Sequence, residues 1–101
     1  MELTSAQIKR LRAESHRLEL KPVVIIGQKG LGENLHGEIE VALSHHELLK
    51  LRIPALDKAG KRELAGQICA RHDAQLIQGI GNVIVIYRRN PEVDRFAALL
   101  G

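Results

Sequence analysis

The sequence predicts an α/β fold: one compact domain over residues 1–101, with elements in the order α-β-α-β-α-β-β, a four-stranded mixed sheet and a short C-terminal helix. Three observations lead there. Segments of helical apolar periodicity alternate with short β-branched runs, which implies right-handed crossovers and a partly parallel sheet. The last two apolar runs meet at Gly81-Asn82, a tight-turn pair that joins an antiparallel hairpin. A chain of 101 residues, 45% hydrophobic and 27% charged, has the size and make-up of one ordered core.

Thr4 or Ser5 caps a first helix running to about residue 18, with Ile8, Leu11, Ser15 and Leu18 on one face. Lys9, Arg10, His16 and Arg17 fall on its side or back. Lys21-Pro22 ends that region and opens residues 23–26, Val-Val-Ile-Ile. Four β-favouring apolar residues without alternation read as a strand buried on both faces. Gly27-Gln28-Lys29-Gly30-Leu31-Gly32 follows, then a helix over residues 33–46 with Leu35, Ile39, Ala42 and Leu43 as its apolar stripe. Glu33 suits the positive end of that helix dipole. Gly37, costing about 1 kcal/mol against Ala inside a helix, reads as a close-packing position.

Leu49, Leu51 and Ile53 alternate with Lys50 and Arg52, giving a strand with one apolar and one basic face that Pro54 halts. Asp57 caps a third helix over residues 58–72, with Leu64, Ala65, Ile68 and Cys69 inward. Residues 74–80 and 83–88 form the hairpin. Asn90 as cap and Pro91 at the first helical position start a final helix reaching Leu100.

Fifteen Lys and Arg against twelve Asp and Glu give a net charge of +3 and a pI near 9.4. That balance is compatible with a polyanionic partner, so the distribution of charge has to decide. Cys69 is the lone cysteine, which excludes an intrachain disulfide and points to a reducing compartment. Met1 has no apolar leader behind it, and no apolar run approaches a bilayer span, so the expectation is a cytoplasmic protein without a membrane partner. Tyr87 and Phe96 are the only aromatic residues. Modules that stack bases need two or three exposed rings, so an RNA partner would be held through backbone phosphates and shape.

The strand–GQKG–helix unit carries the chemistry. Gly27 and Gly30 let the backbone turn tightly and approach a partner without Cβ obstruction, and the loop amides with the helix start behind them favour an anion. Gln28 and Lys29 stand at the tip. A GxxG loop that clamps backbone nucleotides is the device of KH domains. The spacing is neither a Walker A loop nor G-x-G-x-x-G, which excludes the common nucleotide-hydrolysing and dinucleotide-binding sites. His45 and His46 are adjacent and point about 100° apart on a helix, and no pair has metal-ligand spacing, so no metal or cofactor is expected. His36 and Glu40 read as an ordinary surface pair, and Cys69 as a small core residue. Glu33, Glu38, Glu40 and Glu47 read as a solvated acidic face. Arg88 and Arg89, at a strand end, are expected to reach solvent and fork onto phosphate. The basic positions Lys9, Arg10, Arg17, Lys21, Lys29, Arg88 and Arg89 are thus expected to converge away from the acidic helix.

Taken together, Ser15-His16 with Leu18, Lys21-Pro22-Val23-Val24 into Ile26-Gly27-Gln28-Lys29-Gly30-Leu31, Glu38-Ile39-Glu40 with Ala42-Leu43, His46-Glu47-Leu48-Leu49-Lys50-Leu51, and Gly81 with Tyr87-Arg88 resemble a CRM domain (chloroplast RNA splicing and ribosome maturation) of the stand-alone bacterial YhbY-like type. The resemblance runs from Leu3 to Asn90. It implies the fold of the C-terminal domain of a bacterial translation initiation factor, RNA binding through the GxxG loop, and association with ribosomal RNA in precursors of the large subunit. Three departures stand out: a segment from Arg17 to Lys21 about two residues longer than usual, Gly32 where a capping Thr is common, and Arg89 after Tyr-Arg. The expected function is a monomeric, non-enzymatic RNA-binding protein. The rival is a protein-interaction module that docks on ribosomal or assembly proteins through the acidic helix and the hydrophobic edge.

Overall fold

The computed structural model describes residues 2–101. Its elements are α1 (Ser5–Arg17), β1 (Pro22–Ile25), α2 (Glu33–His46), β2 (Leu48–Arg52), α3 (Lys58–His72), β3 (Gln75–Ile80), β4 (Val83–Tyr87) and α4 (Ala97–Leu100). The sheet runs β1-β2-β4-β3; β1 and β2 are parallel, and the other two pairings are antiparallel. The α/β order and the mixed four-stranded sheet are therefore as the sequence predicts.

Alternation along β2 sorts the protein into layers. Leu49, Leu51 and Ile53 point into a core shared with Val24, Ile26, Ile84 and Ile86 and covered by Ile39 and Leu43 of α2 and by Ala65 and Ile68 of α3. Leu48, with Val85, Tyr87 and Ile77, points to the other side, under Leu11 of α1 and Phe96. Tyr87 and Phe96 pack edge to face, with ring centroids 6.1 Å apart.

Local chemistry sets the helix ends. Thr4 and Gln7 form a reciprocal capping box at α1. After Arg17 the chain makes a Schellman turn: Glu19 N donates to His16 O, Leu20 N donates to Ser15 O, and Glu19 takes the left-handed φ of 51° that usually falls to glycine. The longer segment before Lys21 is this turn, and it folds Leu20 back against the core.

Four expectations need correction. The first strand is not buried on both faces: β1 is an edge strand, with Val24 and Ile26 inward and Val23 and Ile25 exposed. Gly37 is not a close-packing position, since a Cβ there would meet nothing within 4 Å. The C-terminal helix does not begin at Pro91; residues 90–94 form a turn and only Ala97–Leu100 is helical. The acidic face of α2 is not simply solvated, because Glu47 is fully buried.

The last two corrections share a cause. Glu47 Oε1 accepts from the Asn90 amide at 2.7 Å and Oε2 from the Arg95 amide at 2.8 Å, while the Glu47 carbonyl accepts from the Arg88 amide at 2.9 Å. Both amides are held by a carboxylate outside the segment, and Asp94 sits at φ 48°, so a continuous helix is broken between them. Charge-assisted bonds of this kind are about twice as strong as neutral ones.

Glu47→Ala is expected to lower stability by roughly 2–4 kcal/mol in urea denaturation, since two amides lose their partner in a buried site. Amide exchange at Asn90 and Arg95 should rise in the same variant. An unchanged midpoint would show that the C-terminal segment is held by other contacts.

Candidate functional site

The segment after β1 leaves the sheet with its root fixed: Ile26 N donates to Arg52 O at 2.8 Å. Gly30 N then closes a tight turn onto Gly27 O at 3.0 Å, with Gln28 and Lys29 exposed at its tip. Gly30 has φ +82°, a conformation that L side chains rarely adopt. Gly27 has no such φ, and a Cβ there would meet nothing within 4 Å. Neither packing nor backbone strain inside the chain demands glycine at 27, and its bare surface leaves room for close approach from outside. Behind the turn, Gly32 caps α2 without a side-chain hydrogen bond, so the first amides of α2 have no side-chain acceptor.

Beside this turn, half of the sheet is uncovered. On the α1 face the row Ile25–Arg52–Val83–Ile80 crosses all four strands at the turn end; in the next row Lys50 and Gln78 are half-exposed and Val85 is buried. Ile25 and Ile80 are 64% and 60% exposed. α1 shields the far rows and stops short of the turn-end row, its His16 standing over a shallow hollow lined by Lys50, Gln78, Ile80, Val83 and Val85. Helical spacing puts Lys9 and Arg12 on the same flank of α1 as His16. Lys29, Lys50, Arg52, Lys9 and Arg12 have no side-chain partner among the described residues. The uncovered surface is thus aliphatic, with free cations around it.

The remaining expected cations lie elsewhere. β4 runs antiparallel to β2, so Arg88 and Arg89 follow the end of β4 farthest from the turn, the length of five residues or about 17 Å away. Lys21 precedes β1, also at the strand end away from the turn. Arg88 does not reach freely into solvent: its guanidinium is ion-paired to Glu40 and donates to His72 O at 3.0 Å and Ser44 Oγ at 3.3 Å. Arg89 makes a two-pronged pair with Asp94, and Arg17 one with Glu14. Lys9 and Arg10 are exposed on α1, with Arg10 on the flank away from His16. The turn and Lys29 therefore share an end with Lys50 and Arg52, not with Arg88 and Arg89.

The far end is instead a clasp joining α2, α3 and β4. His36 Nδ1 lies 2.9 Å from Nε2 of buried His72, and Glu40 faces Nδ1 of His72 at 3.6 Å. Burial pushes the His72 pKa below the ordinary imidazole value, against the opposing pull of Glu40. The Arg88 guanidinium holds Glu40 below the usual carboxylate range. His36 and Glu40 are thus not a plain surface pair. Cys69 is half-buried, and burial pushes its thiol up to about 11, so it stays protonated at neutral pH and is a poor nucleophile.

Lys50, Arg52 and Arg12 are the residues that sequence reasoning left out of the site. The alternation in β2 already showed a basic face; what it lacked was the knowledge that α1 leaves that face open. Arg12 was legible only as one more charge on a helix.

Comparison with known proteins gives a consistent result. Residues 3–88 match the family model described as the CRS1 / YhbY (CRM) domain. A protein of Pseudomonas aeruginosa named as a probable RNA-binding protein is 35% identical, covering 98% of this chain and 100% of its own length. A Haemophilus influenzae protein named as an RNA-binding protein is 37% identical, with 89% of each chain covered. The solution structure of a Staphylococcus aureus protein superposes with a TM-score of 0.77 at 34% identity, covering 88% of this chain and 91% of the other.

Two predictions follow from the clasp. Arg88→Met should cost roughly 1–3 kcal/mol in urea denaturation, whereas Arg52→Met should stay within about 0.5 kcal/mol of the parent. Because the folded pKa of His72 lies below its unfolded value, the unfolded chain binds more protons between the two, so this contribution is complete at neutral pH and lost as pH falls below about 6.5. Glu40, depressed by Arg88, adds its loss only below about 4.5. Melting temperature against pH should therefore fall in two stages, and His72→Gln should remove the upper one; a variant curve parallel to the parent's would assign that stage to another group.

Proposed function

The chain belongs to the CRS1 / YhbY (CRM) domain family, and from that premise we propose that it is an RNA-binding protein that grips a single-stranded backbone with the Gly27-Gln28-Lys29-Gly30 turn and lays the strand along the open half of the sheet. The observation that carries this reading is the uncovered sheet surface beside the turn, with Lys50 and Arg52 on it, unpaired among the described residues, and Lys29 at its edge. Gly27 and Gly30 let the RNA backbone approach. Lys29, Lys50 and Arg52 neutralise phosphates, and Lys9 and Arg12 continue the track along α1. The uncapped amides of α2 add donors that favour an anion.

The names of the relatives support RNA as the partner. The resemblance to CRM domains supports ribosomal RNA in precursors of the large subunit as the RNA met in the cell. The reading is one of binding, with no chemical step. Docking through the acidic helix is not favoured, because Glu33, Glu40 and Glu47 are engaged by Arg71, by Arg88, and by the backbone of the C-terminal segment.

With about five phosphates neutralised, log K for single-stranded RNA should fall against log salt with a slope near −3.5. Lys29→Met and Arg52→Met should each reduce that slope by about 0.7, and Lys29→Glu should weaken binding about tenfold or more. Arg89→Ala, at the far end, should leave affinity within about twofold. Filter binding across a salt series reads all four; binding that ignores salt, or that responds to Arg89 and not to Lys29 and Arg52, would overturn the assignment. Co-sedimentation with precursor large subunits that is abolished by nuclease would tie the same contact to ribosomal RNA.

A further inference from the structure

A second surface has a different character. Between the first turns of α3 and the β3–β4 hairpin, on the α3 side of the sheet, a groove of about 360 Å³ opens. Its floor is aliphatic, made by Ile53, Ala65, Leu76 and Ile84, and Gly79 and Gly81 leave it unobstructed. Its rim carries Lys58, Lys61 and Arg62. None of the three has a side-chain partner among the described residues, and no carboxylate lines the groove. Leu76, on its floor, remains 43% exposed.

We propose that this groove docks a short acidic segment of a partner protein, seating an aliphatic side chain on the floor while flanking carboxylates meet Lys58, Lys61 and Arg62. The floor argues for a peptide over a nucleotide. On the RNA surface Lys50 and Arg52 rise from the sheet itself, whereas here the cations stand only on the rim and the floor offers a phosphate or a base edge nothing but aliphatic carbon. A Leu or Ile side chain fits such a surface and gains by leaving water. The rim argues for acid: three like charges at i, i+3 and i+4 repel one another when unpaired, and carboxylates relieve that while excluding basic segments. The groove opens on the opposite face of the sheet from the RNA surface proposed above, and the two share only Val83 at the hairpin edge.

The test is an amide NMR titration of the full chain with two probes, the peptide Asp-Glu-Leu-Asp-Glu-Leu-Asp and a short oligouridylate. The peptide is expected to move the amides of Ala65, Gly79 and Gly81 and to leave Gly27 and Gly30 in place, whereas the RNA does the reverse. The combined variant Lys58→Glu, Lys61→Glu and Arg62→Glu should weaken peptide binding about tenfold or more without weakening RNA binding. Gly79→Leu keeps the cations and fills the floor, where the nearest atom to an added Cβ is Ile84 Cγ2 at 3.9 Å, and should also abolish peptide binding. No groove shift at millimolar peptide, or peptide affinity indifferent to the combined charge reversal, would overturn the proposal. So would RNA that moves the groove amides and is weakened by the reversal, which would hand the groove to RNA. Should Lys29→Glu leave RNA binding intact, the RNA assignment fails while the peptide result stands.

Discussion

Along one face of β2 the side chain changes from Leu48 to Lys50 to Arg52, and the placement of everything else follows from that change. Leu48 is buried under α1 and Phe96; Lys50 is half-exposed and Arg52 exposed. A helix laid over all three positions would have to desolvate two unpaired cations, at several kcal/mol each. α1 therefore covers only the Leu48 end. Its length is fixed to match, by the Thr4–Gln7 capping box at one end and the Glu19 turn at the other. The same strand meets no such restriction on its other face, where Leu49, Leu51 and Ile53 are continuously apolar and all three are buried in the core under α2 and α3. One strand thus makes a sealed face and a half-open one.

The parallel pairing of β1 with β2 then decides what borders the open half. It brings the end of β1, and hence the glycine turn, level with Arg52, while β4 carries Arg88 and Arg89 to the opposite end. Ion pairing divides the basic residues into two sets. Arg88, Arg89, Arg71 and Arg17 are neutralised by Glu40, Asp94, Glu33 and Glu14. Among the described residues Lys29, Lys50, Arg52, Lys58, Lys61 and Arg62 have no side-chain partner and lie toward the turn end, with Lys21 unpaired at the other. A net charge of +3 is unremarkable as a total. Its effect on a polyanion depends on this sorting, since the fields of paired charges cancel while those of clustered free charges add within the screening distance of about 8–10 Å.

The sequence discloses the fold well because its signals are local and agree: caps at Thr4 and Asp57, the alternation of β2, and the two-residue hairpin turn at Gly81-Asn82. What it hides depends on contacts between distant residues. Val23 to Ile26 has the composition of an interior strand, and composition does not say that β1 ends up at the sheet edge. Asn90-Pro91 is a sound helix start by local rules, and the Glu47 carboxylate, 43 positions away, overrules it by claiming the Asn90 amide. The GQKG turn was legible from its glycines alone. Its neighbours were not, because Arg88 looks like Arg52 until strand direction is known.

The two aromatic rings bear on what kind of recognition the open surface supports. Tyr87 and Phe96 are packed against each other beneath α1, at the closed end of the sheet, and both are buried. They fill the space where α1, α4 and the sheet meet, so they serve the core and are lost to any ligand. The open rows present Ile25, Val83 and Ile80, which give contact area without the π-face or hydrogen-bonding edge that distinguishes one base from another. Selectivity on such a surface has to come from the path it imposes on a backbone, bounded by the glycine turn at the β1 edge and by the basic flank of α1. Four strands at about 4.8 Å spacing make that path only about 14 Å across. On the proposed reading, a narrow track with cations on both borders selects for an accessible, unpaired strand and is indifferent to its sequence.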